Sequence, residues 1–167
     1  MPRIFVGIDC VDSTMTADEI ITCGAANCIA VGGINTFTKK RVLAHYDTRR
    51  CIEYELDIKE LQDFARWLTL KVDPESSTNE KYFEVGFGSL WAGGKIGTVS
   101  TETMALTLES IFRCTVHRND FSGTWLYDGD GILWPWKEPP GAGAHAYDGE
   151  AIPQKNQYFG TGTCIIS

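Results

Sequence analysis

The chain has 167 residues, of which 43% are hydrophobic and 22% charged, as in an ordinary globular protein of one domain. Its net charge of −7 at pH 7, with basic runs only at 39–41 and 49–50, argues against nucleic acid or an anionic membrane as a partner. The sequence has no long apolar run and no secretory signal pattern, so we expect a cytoplasmic protein without a membrane span.

The first half of the chain predicts a strand, a hairpin and a helix, in that order. Segments 3–8, 28–34 and 41–47 are apolar, and the polar turn NTFTKK joins the second to the third. Residues 57–72 repeat apolar side chains at helical spacing, and Asp57 and Glu60 form a start like a capping box. The positions predicted to face inward are Ile58, Leu61, Ala65, Leu68 and Val72.

The second half predicts a strand, a helix and a closing hairpin. Residues 82–91 lead as a strand into a glycine-rich turn, and 100–112 form a helix capped by Ser100. A short strand at 114–120 precedes a hairpin at 123–136, which turns at Asp-Gly pairs. The residues predicted to face inward on this helix are Ala105, Leu108 and Phe112.

The element order predicts an α/β domain over residues 1–136, a layered sandwich of mixed β-sheets with two main helices packed outside. From residue 137 the chain is rich in Pro, Gly and Ala. We expect 137–167 to be an irregular extension packed on the same domain, with a last short strand within 158–167.

Six cysteines occur, but a domain of this size without an export signal is expected to keep them as thiols. Zinc fits poorly, because no second close pair of Cys or His follows Cys23 and Cys28 at finger spacing. Cys164 begins a terminal CIIS that fits a farnesylation box. Lipidation is disfavoured, since no basic run precedes that box. We predict no metal and no cofactor.

Cys28 and His45 lie on the two strands of the predicted hairpin. If the turn centres on Thr36 and Phe37, the two side chains face each other on one side of the sheet. A register change of two residues leaves them diagonal neighbours, whereas a change of one puts them on opposite faces. An imidazolium beside a cysteine stabilises the reactive thiolate, and the imidazole can then protonate a leaving amine. The alternative is a packed cysteine and a strand-end histidine without catalytic roles.

Two further groups would complete a nucleophilic site around this pair. The hydroxyl of Thr22 could hold the second nitrogen of the imidazole. The loop CGAAN could turn backbone N–H groups, those of Asn27 and Cys28, toward a developing oxyanion.

The segment TCGAANC resembles the signature of the chemoreceptor glutamine deamidase family, CheD, in its threonine, its cysteine six residues later and a histidine seventeen further on. VLAHYD is similar to the strand that carries the family's histidine. KIGTVSTETMALTLESIF and RNDFSGTWLYDGDGILW are similar to its glycine turn with second helix and to its closing hairpin. The resemblance covers about residues 16–136, in the family's order.

This resemblance implies a layered α/β sandwich, shared with cytotoxic necrotizing factor toxins and N-terminal asparagine amidohydrolases. It also implies hydrolysis of a glutamine side chain in a protein substrate, with Cys28 as nucleophile, His45 as acid and base, and Thr22 as its orienting group. A regulatory protein partner, or delivery into a host cell, is compatible with the resemblance.

The chain departs from the family pattern near the mouth of the site. Ala-Asn replaces Gly-Ser before the cysteine, and Tyr46-Asp47-Thr48 replaces an apolar stretch. The substrate is therefore left open. We assign Tyr46 and Asp47 to substrate binding, together with the aromatic residues Trp125 and Trp134.

Two other functions remain open. The same site could act on an N-terminal asparagine or a small amide. Alternatively, the fold could be a non-catalytic binding module that uses its tryptophan-rich face, although such a module has no need for the Thr–Cys–His spacing.

Overall fold

The computed structural model describes residues 3–73, 80–119, 122–137 and 149–160. Within these ranges it contains two α-helices, two 3-10 helices (Thr48–Arg50 and Ser89–Gly93) and twelve strands. The helices are α1 (Ile58–Val72) and α2 (Thr101–Phe112). The strands are β1 (Arg3–Phe5), β2 (Cys10–Thr14), β3 (Glu19–Thr22), β4 (Cys28–Asn35), β5 (Arg41–Asp47), β6 (Lys81–Phe87), β7 (Lys95–Ile96), β8 (Val99–Ser100), β9 (Val116–His117), β10 (Thr124–Tyr127), β11 (Leu133–Trp136) and β12 (Glu150–Ala151).

The elements form three layers. A six-stranded sheet, in the order β12-β2-β5-β4-β6-β9, lies in the middle. Both helices pack on one of its faces, and a four-stranded sheet, β1-β3-β10-β11, packs on the other. Each of these two sheets contains both parallel and antiparallel pairs, and β7 and β8 form a separate antiparallel pair. The predicted fold class, a layered α/β sandwich of mixed sheets with two helices outside, is confirmed.

Strand β4 is buried along its whole length because both of its faces are covered. Ile29 and Val31 contact the helix layer, and Cys28 and Ala30 face the four-stranded sheet. A Cβ on Gly32 would lie 2.5 Å from the ring of Tyr127. The absence of a side chain there lets the second sheet approach β4 closely.

The β4–β5 register differs from the prediction by two residues. Cys28 pairs with Asp47, and His45 pairs with Ala30. The reason lies in the turn, where Asn35 Oδ1 accepts hydrogen bonds from two following backbone N–H groups and Lys39 adopts a φ of 68°. The turn is thereby centred one residue later than predicted, which leaves Cys28 and His45 as diagonal neighbours on one face.

Both predicted helices are confirmed, and so are their caps. The Asp57 side chain accepts from the N–H of Glu60 at 3.1 Å, and Ser100 accepts from Thr103 at 3.0 Å. The predicted inward position Ile58 is wrong, since 41% of its surface is exposed. The buried stripe of α1 runs along Leu61, Phe64, Trp67, Leu68 and Val72.

Strands β2, β3 and β12 were not predicted. The last belongs to residues 149–160, the C-terminal strap, which pairs with β2 and inserts Ile152 and Tyr158 into the helix-side core. Residues 158–160 are not a strand. Cys164 and the rest of the predicted closing strand lie outside the described residues. Among the residues that are described, neither helix is long and apolar enough to cross a membrane.

Candidate functional site

Thr22 and His45 meet between the two sheets. Thr22 ends β3 in the four-stranded sheet, and His45 lies on β5 in the six-stranded sheet below it. Thr22 Oγ1 lies 2.6 Å from His45 Nδ1, and the same hydroxyl donates to the carbonyl of Val6 at 2.7 Å. A hydroxyl has one proton to give. Nδ1 must therefore carry the imidazole proton, which leaves Nε2 with a free lone pair.

His45 Nε2 is buried and has no hydrogen-bond partner within the described ranges. Burial lowers the pKa of His45 to about 4, although the charges of Asp9 and Asp47 act in the opposite direction. The ring is consequently neutral at neutral pH. It is a base whose one available lone pair is unused.

Cys28 begins β4 on the face of the sheet that also carries His45, and only 3% of its surface is exposed. Diagonal neighbours across an antiparallel pair are typically about 7–8 Å apart. The hydrogen bond of the thiol goes to Asn27 Oδ1 at 3.9 Å and not to His45. The five cysteines in the described residues are free thiols: Cys10, Cys23, Cys28, Cys51 and Cys114.

The environment of Cys28 favours the protonated thiol. Burial, followed by the charges of Asp47 and Asp9, raises its pKa to about 12, and Arg49 lowers it only in part. The predicted thiolate–imidazolium pair is therefore not the resting state. Both groups are neutral at neutral pH, so any attack by Cys28 has to transfer its proton as the new bond forms.

The backbone before Cys28 is held by its carbonyl groups. The carbonyls of Ala25 and Ala26 accept from the N–H groups of Ser89 and Leu90 at 2.9 and 3.0 Å. The carbonyl of Asn27 accepts from Trp91 Nε1 at 3.1 Å, and all three donors belong to the 3-10 helix Ser89–Gly93. The close approach needs Gly88, where a Cβ would lie 2.3 Å from the Ala26 carbonyl oxygen. The loop before Cys28 is thereby fixed against the 3-10 helix Ser89–Gly93.

This tethering decides where the amides of the loop point. In a trans peptide the N–H points opposite to the C=O of the same unit. The N–H groups of Asn27 and Cys28, the predicted oxyanion donors, accordingly point away from the 3-10 helix. The N–H of Asn27 donates to no atom of the described residues. It is available to an incoming oxygen, as an oxyanion site requires.

Asp47 pairs with Cys28 across the hairpin and is bound within the protein. It accepts from Asn27 Nδ2 at 2.9 Å and from Arg49 through both carboxylate oxygens, and these contacts lower its pKa against the opposing effect of burial. Its side chain is 7% exposed, against 77% for Arg49. Arg49 is thus the group of this pair that an approaching molecule meets first.

Asp9 and Arg50 brace the strand end that carries His45. Asp9 Oδ1 accepts from the N–H of Asp47 at 3.2 Å and from Arg50 Nε at 3.1 Å, and its own N–H donates to the His45 carbonyl at 2.8 Å. Arg50 also donates to the carbonyl of Ile152 in the C-terminal strap at 3.0 Å. Neither Asp9 nor Arg50 was predicted. For Arg50 the available signal was Asp-Thr-Arg-Arg, an acidic cap followed by two cations directly after a strand.

None of the three aromatic residues assigned to substrate binding offers an accessible surface beside Cys28. Tyr46 is fully buried on the helix side of β5, where its hydroxyl donates to Glu60. Trp125 is fully buried between the sheets and donates to the Phe87 carbonyl at 3.0 Å. Trp134 is 45% exposed, but it lies on the outer face of the four-stranded sheet. The assignments of Tyr46 and Trp125 are wrong because neither is accessible, and that of Trp134 because it faces away from Cys28.

No metal centre accompanies the site in the part of the chain that the structure describes. No three His, Cys, Asp or Glu side chains come together there as a possible set of ligands. A cavity of about 130 Å³ lies beside the loop, lined by Phe87, Gly88, Trp91, Ala92, Arg118 and Asn119. It adjoins the backbone that carries Cys28 and does not include the thiol among its lining groups.

Fold and site together define an α/β sandwich protein with a cysteine, a histidine and a threonine gathered where its two sheets meet. No family model and no curated protein matches the chain. Among solved structures it is similar to the hypothetical protein YfiH of Bacillus licheniformis, with a TM-score of 0.39, 10% identity and coverage of 68% of this chain and 51% of that one. It is similar to YlmD of Geobacillus stearothermophilus with the same TM-score and identity, over 67% and 50%. The chain spans about half the length of each.

Proposed function

We propose that this protein is a cysteine-dependent protein glutamine deamidase. The observation that carries the proposal is the Thr22–His45 hydrogen bond, which leaves a buried, unpartnered Nε2 lone pair on the sheet face that carries Cys28. A histidine with a purely structural role normally has its buried polar atoms paired. An unused base beside a thiol is instead what a nucleophilic site requires.

In the first half-reaction, Cys28 Sγ attacks the carboxamide carbon of a substrate glutamine as His45 Nε2 takes the thiol proton. The carbonyl oxygen gains the electron pair of the broken π bond, and the backbone N–H groups of Asn27 and Cys28 stabilise that charge. Nε2 then gives its proton to the amide nitrogen. The C–N bond breaks, ammonia leaves and a thioester remains.

In the second half-reaction, water replaces ammonia. Neutral His45 removes a proton from the water as it attacks the thioester carbonyl. Collapse of the resulting oxyanion breaks the C–S bond, and the imidazolium returns a proton to the sulfur. Glutamate is released. Thr22 accepts from Nδ1–H throughout, so the nitrogen that works in each step is always Nε2.

The neutral resting state is compatible with this sequence of steps. A thiol of high pKa beside a base of low pKa does not ionise by itself, and the proton moves only when the S–C bond forms. A substrate must therefore bring thiol and imidazole into contact. A protein loop with an exposed glutamine, which can insert one side chain toward the strand end, is the proposed substrate.

The test measures ammonia release from the blocked dipeptide Cbz-Gln-Gly and from folded casein, with glutamine conversion located by mass spectrometry. We expect release by the wild-type chain, none by Cys28→Ala or His45→Ala, and unchanged release by Cys114→Ala. Cys114 is a half-buried thiol packed on the helix-side core and is the matched control.

The same assay separates the other candidate functions. Release only from a peptide with a free N-terminal asparagine would support an N-terminal amidase with the same site. Equal release by wild type and Cys28→Ala would refute thiol catalysis. No release from any of these substrates, with wild type and variants equally folded, would favour the non-catalytic binding module.

A further inference from the structure

The side chain of Asn27 connects the Cys28 thiol to the carboxylate of Asp47. Asn27 Nδ2 donates to Asp47 Oδ1 at 2.9 Å, and the thiol donates to Asn27 Oδ1 at 3.9 Å. An ionised carboxylate only accepts hydrogen bonds, so Asp47 requires the NH₂ end of the carboxamide to face it. The orientation of the amide is thus fixed, and its oxygen is presented to Cys28.

We propose that Asn27, held by Asp47, is a positioning residue. It keeps the Cys28 S–H donating to Asn27 Oδ1, and directed away from His45 Nε2, until a substrate carboxamide displaces the Asn27 side chain. The first part concerns the free protein alone. The last clause rests on the proposed deamidase function. We call the Asn27–Asp47 pair the amide latch.

The hydrogen bonding of His45 and Cys28 supports the latch. Nε2 has no partner among the described side chains, although a thiol lies diagonally across the hairpin from it. That thiol is bonded to Asn27 Oδ1 at a distance near the limit for sulfur. A direct thiol–imidazole contact would satisfy the buried lone pair, which is costly to leave unpaired. The arrangement persists because the carboxamide holds the thiol on the other side.

Arg49 holds the latch in place. Its Nε lies 2.9 Å from Asp47 Oδ2 and 3.1 Å from Oδ1, and its backbone N–H donates to Oδ1 at 3.0 Å. With the carboxylate bound on both oxygens, Asp47 cannot rotate away from Asn27. Bidentate pairing of this kind adds geometric specificity as well as strength.

The charges around Cys28 give the latch a measurable signature. Asp47 and Asp9 raise the pKa of the thiol, and Arg49 lowers it. The same face of the sheet also carries the neutral imidazole of His45 and the thiol of Cys10, and farther along it the charged side chains of Asp12, Arg41 and Glu84. If the thiol turns toward His45, the reactivity of the thiol depends on the imidazole. If a substitution only exposes the thiol to solvent, its reactivity does not depend on His45.

The experiment measures alkylation of each cysteine by iodoacetamide from pH 6 to 9, with rates resolved by mass spectrometry. Asn27→Leu keeps the branching of the side chain, removes its hydrogen-bonding groups and so removes the latch. We expect Cys28 to react about three- to tenfold faster near pH 7.5, as for a thiol pKa lowered by about one unit. The increase should disappear in the Asn27→Leu, His45→Ala double variant. Cys10 is the internal control, and its rate should not change.

Two further variants distinguish the latch from a change in local charge or in folding. Asp47→Ala frees the carboxamide to rotate and also removes a charge that raises the thiol pKa, so alkylation should be faster than in Asn27→Leu and only part of the increase should depend on His45. Arg49→Met removes a cation that lowers the thiol pKa and leaves the Asn27–Asp47 bond, so it should slow alkylation. Circular dichroism and urea unfolding identify any variant that fails to fold, and the remaining variants then decide the result.

An unchanged Cys28 rate in folded Asn27→Leu, or an equal increase with and without His45, would overturn the latch. Neither result bears on catalysis, because alkylation needs no substrate. Conversely, an intact latch in a protein that releases no ammonia from Cbz-Gln-Gly or casein would leave the proposal for the free protein standing and remove the proposed function. The two failures are therefore distinguishable.

Discussion

Replacing Thr22 by valine tests how the imidazole of His45 is held. Valine has nearly the same shape as threonine and lacks the hydroxyl, so two buried hydrogen bonds are lost, to His45 Nδ1 and to the Val6 carbonyl. Leaving such groups unpaired costs about 1–3 kcal/mol each. We expect the free energy of unfolding to fall by roughly 2–4 kcal/mol, and the melting temperature by roughly 5–15 °C.

The more specific consequence of Thr22→Val concerns the tautomer of His45. In the wild type, Nδ1–H donates to the hydroxyl and Nε2 carries the lone pair. In the variant neither tautomer has a partner for its N–H, so the preference for Nδ1–H is lost and part of the population holds its proton on Nε2. A protonated Nε2 in a neutral ring cannot accept the Cys28 proton, and ammonia release should fall accordingly.

Nitrogen-15 chemical shifts of the His45 ring at pH 7 report the tautomer directly, and urea unfolding reports the stability. Thr22→Ser keeps the hydroxyl and should keep the tautomer. Thr48→Val removes another buried hydroxyl, one that donates to the Asn27 carbonyl, and should lower stability without changing His45. An unaltered Nδ1–H tautomer in Thr22→Val, with stability within about 0.5 kcal/mol of wild type, would refute the reasoning.

Three other perturbations follow from the same structure. The folded-state pKa of His45 is about 4, below its ordinary value of 6.5. Between these two pH values the unfolded chain protonates His45 and the folded chain does not, so the free energy of unfolding falls as the pH falls from about 6.5 to about 4. Urea unfolding at pH 7 and pH 4.5 should show that the free energy of unfolding falls by roughly 2–3 kcal/mol less in His45→Gln than in wild type. Gly86→Ala places a Cβ 2.5 Å from the tryptophan ring packed over it and should lower stability by about 1–3 kcal/mol in the same measurement, whereas Gly93→Ala, which meets nothing within 4 Å, should not. Arg50→Met removes one of the links between Asp9 and the C-terminal strap, so amide hydrogen exchange in the strap should accelerate while exchange in α2 stays unchanged.

The long, regular elements were predictable from the sequence because burial gives them a run or a periodic repeat of apolar residues that is long enough to recognise. Strands β4 and β5 and both helices were correctly placed. Strands β2 and β3 were missed, since five and four residues give too little alternation to recognise. The exact β4–β5 register was also out of reach. It depends on one side chain, Asn35, whose hydrogen bonds extend the turn.

The predicted Thr22–His45 hydrogen bond is present in the structure, and Cys28 and His45 share a face of the sheet. The shared face survives the error in register because a shift of two residues leaves every side chain on the same side of the sheet. Protonation states could not be predicted in this way. They depend on burial and on Asp9 and Asp47, which reach Cys28 only after folding. The wrong assignments of Tyr46 and Trp125 have other origins. Adjacent residues of a strand face opposite sides of the sheet, so Tyr46 lies on the side away from His45. Trp125 lies on the face that carries Cys28 but is fully buried there.

The position of the site between the two sheets connects these observations. Only a residue from the second sheet can reach Nδ1 from above, and Thr22 does so as the last residue of β3. The layer that supplies this orientation also excludes water, and the loss of water favours the neutral forms of both the thiol and the imidazole. An oriented imidazole and an un-ionised thiol are thus two consequences of the same packing. Under the proposed function, the high pKa of Cys28 requires that proton transfer and bond formation occur together, with a substrate already in place.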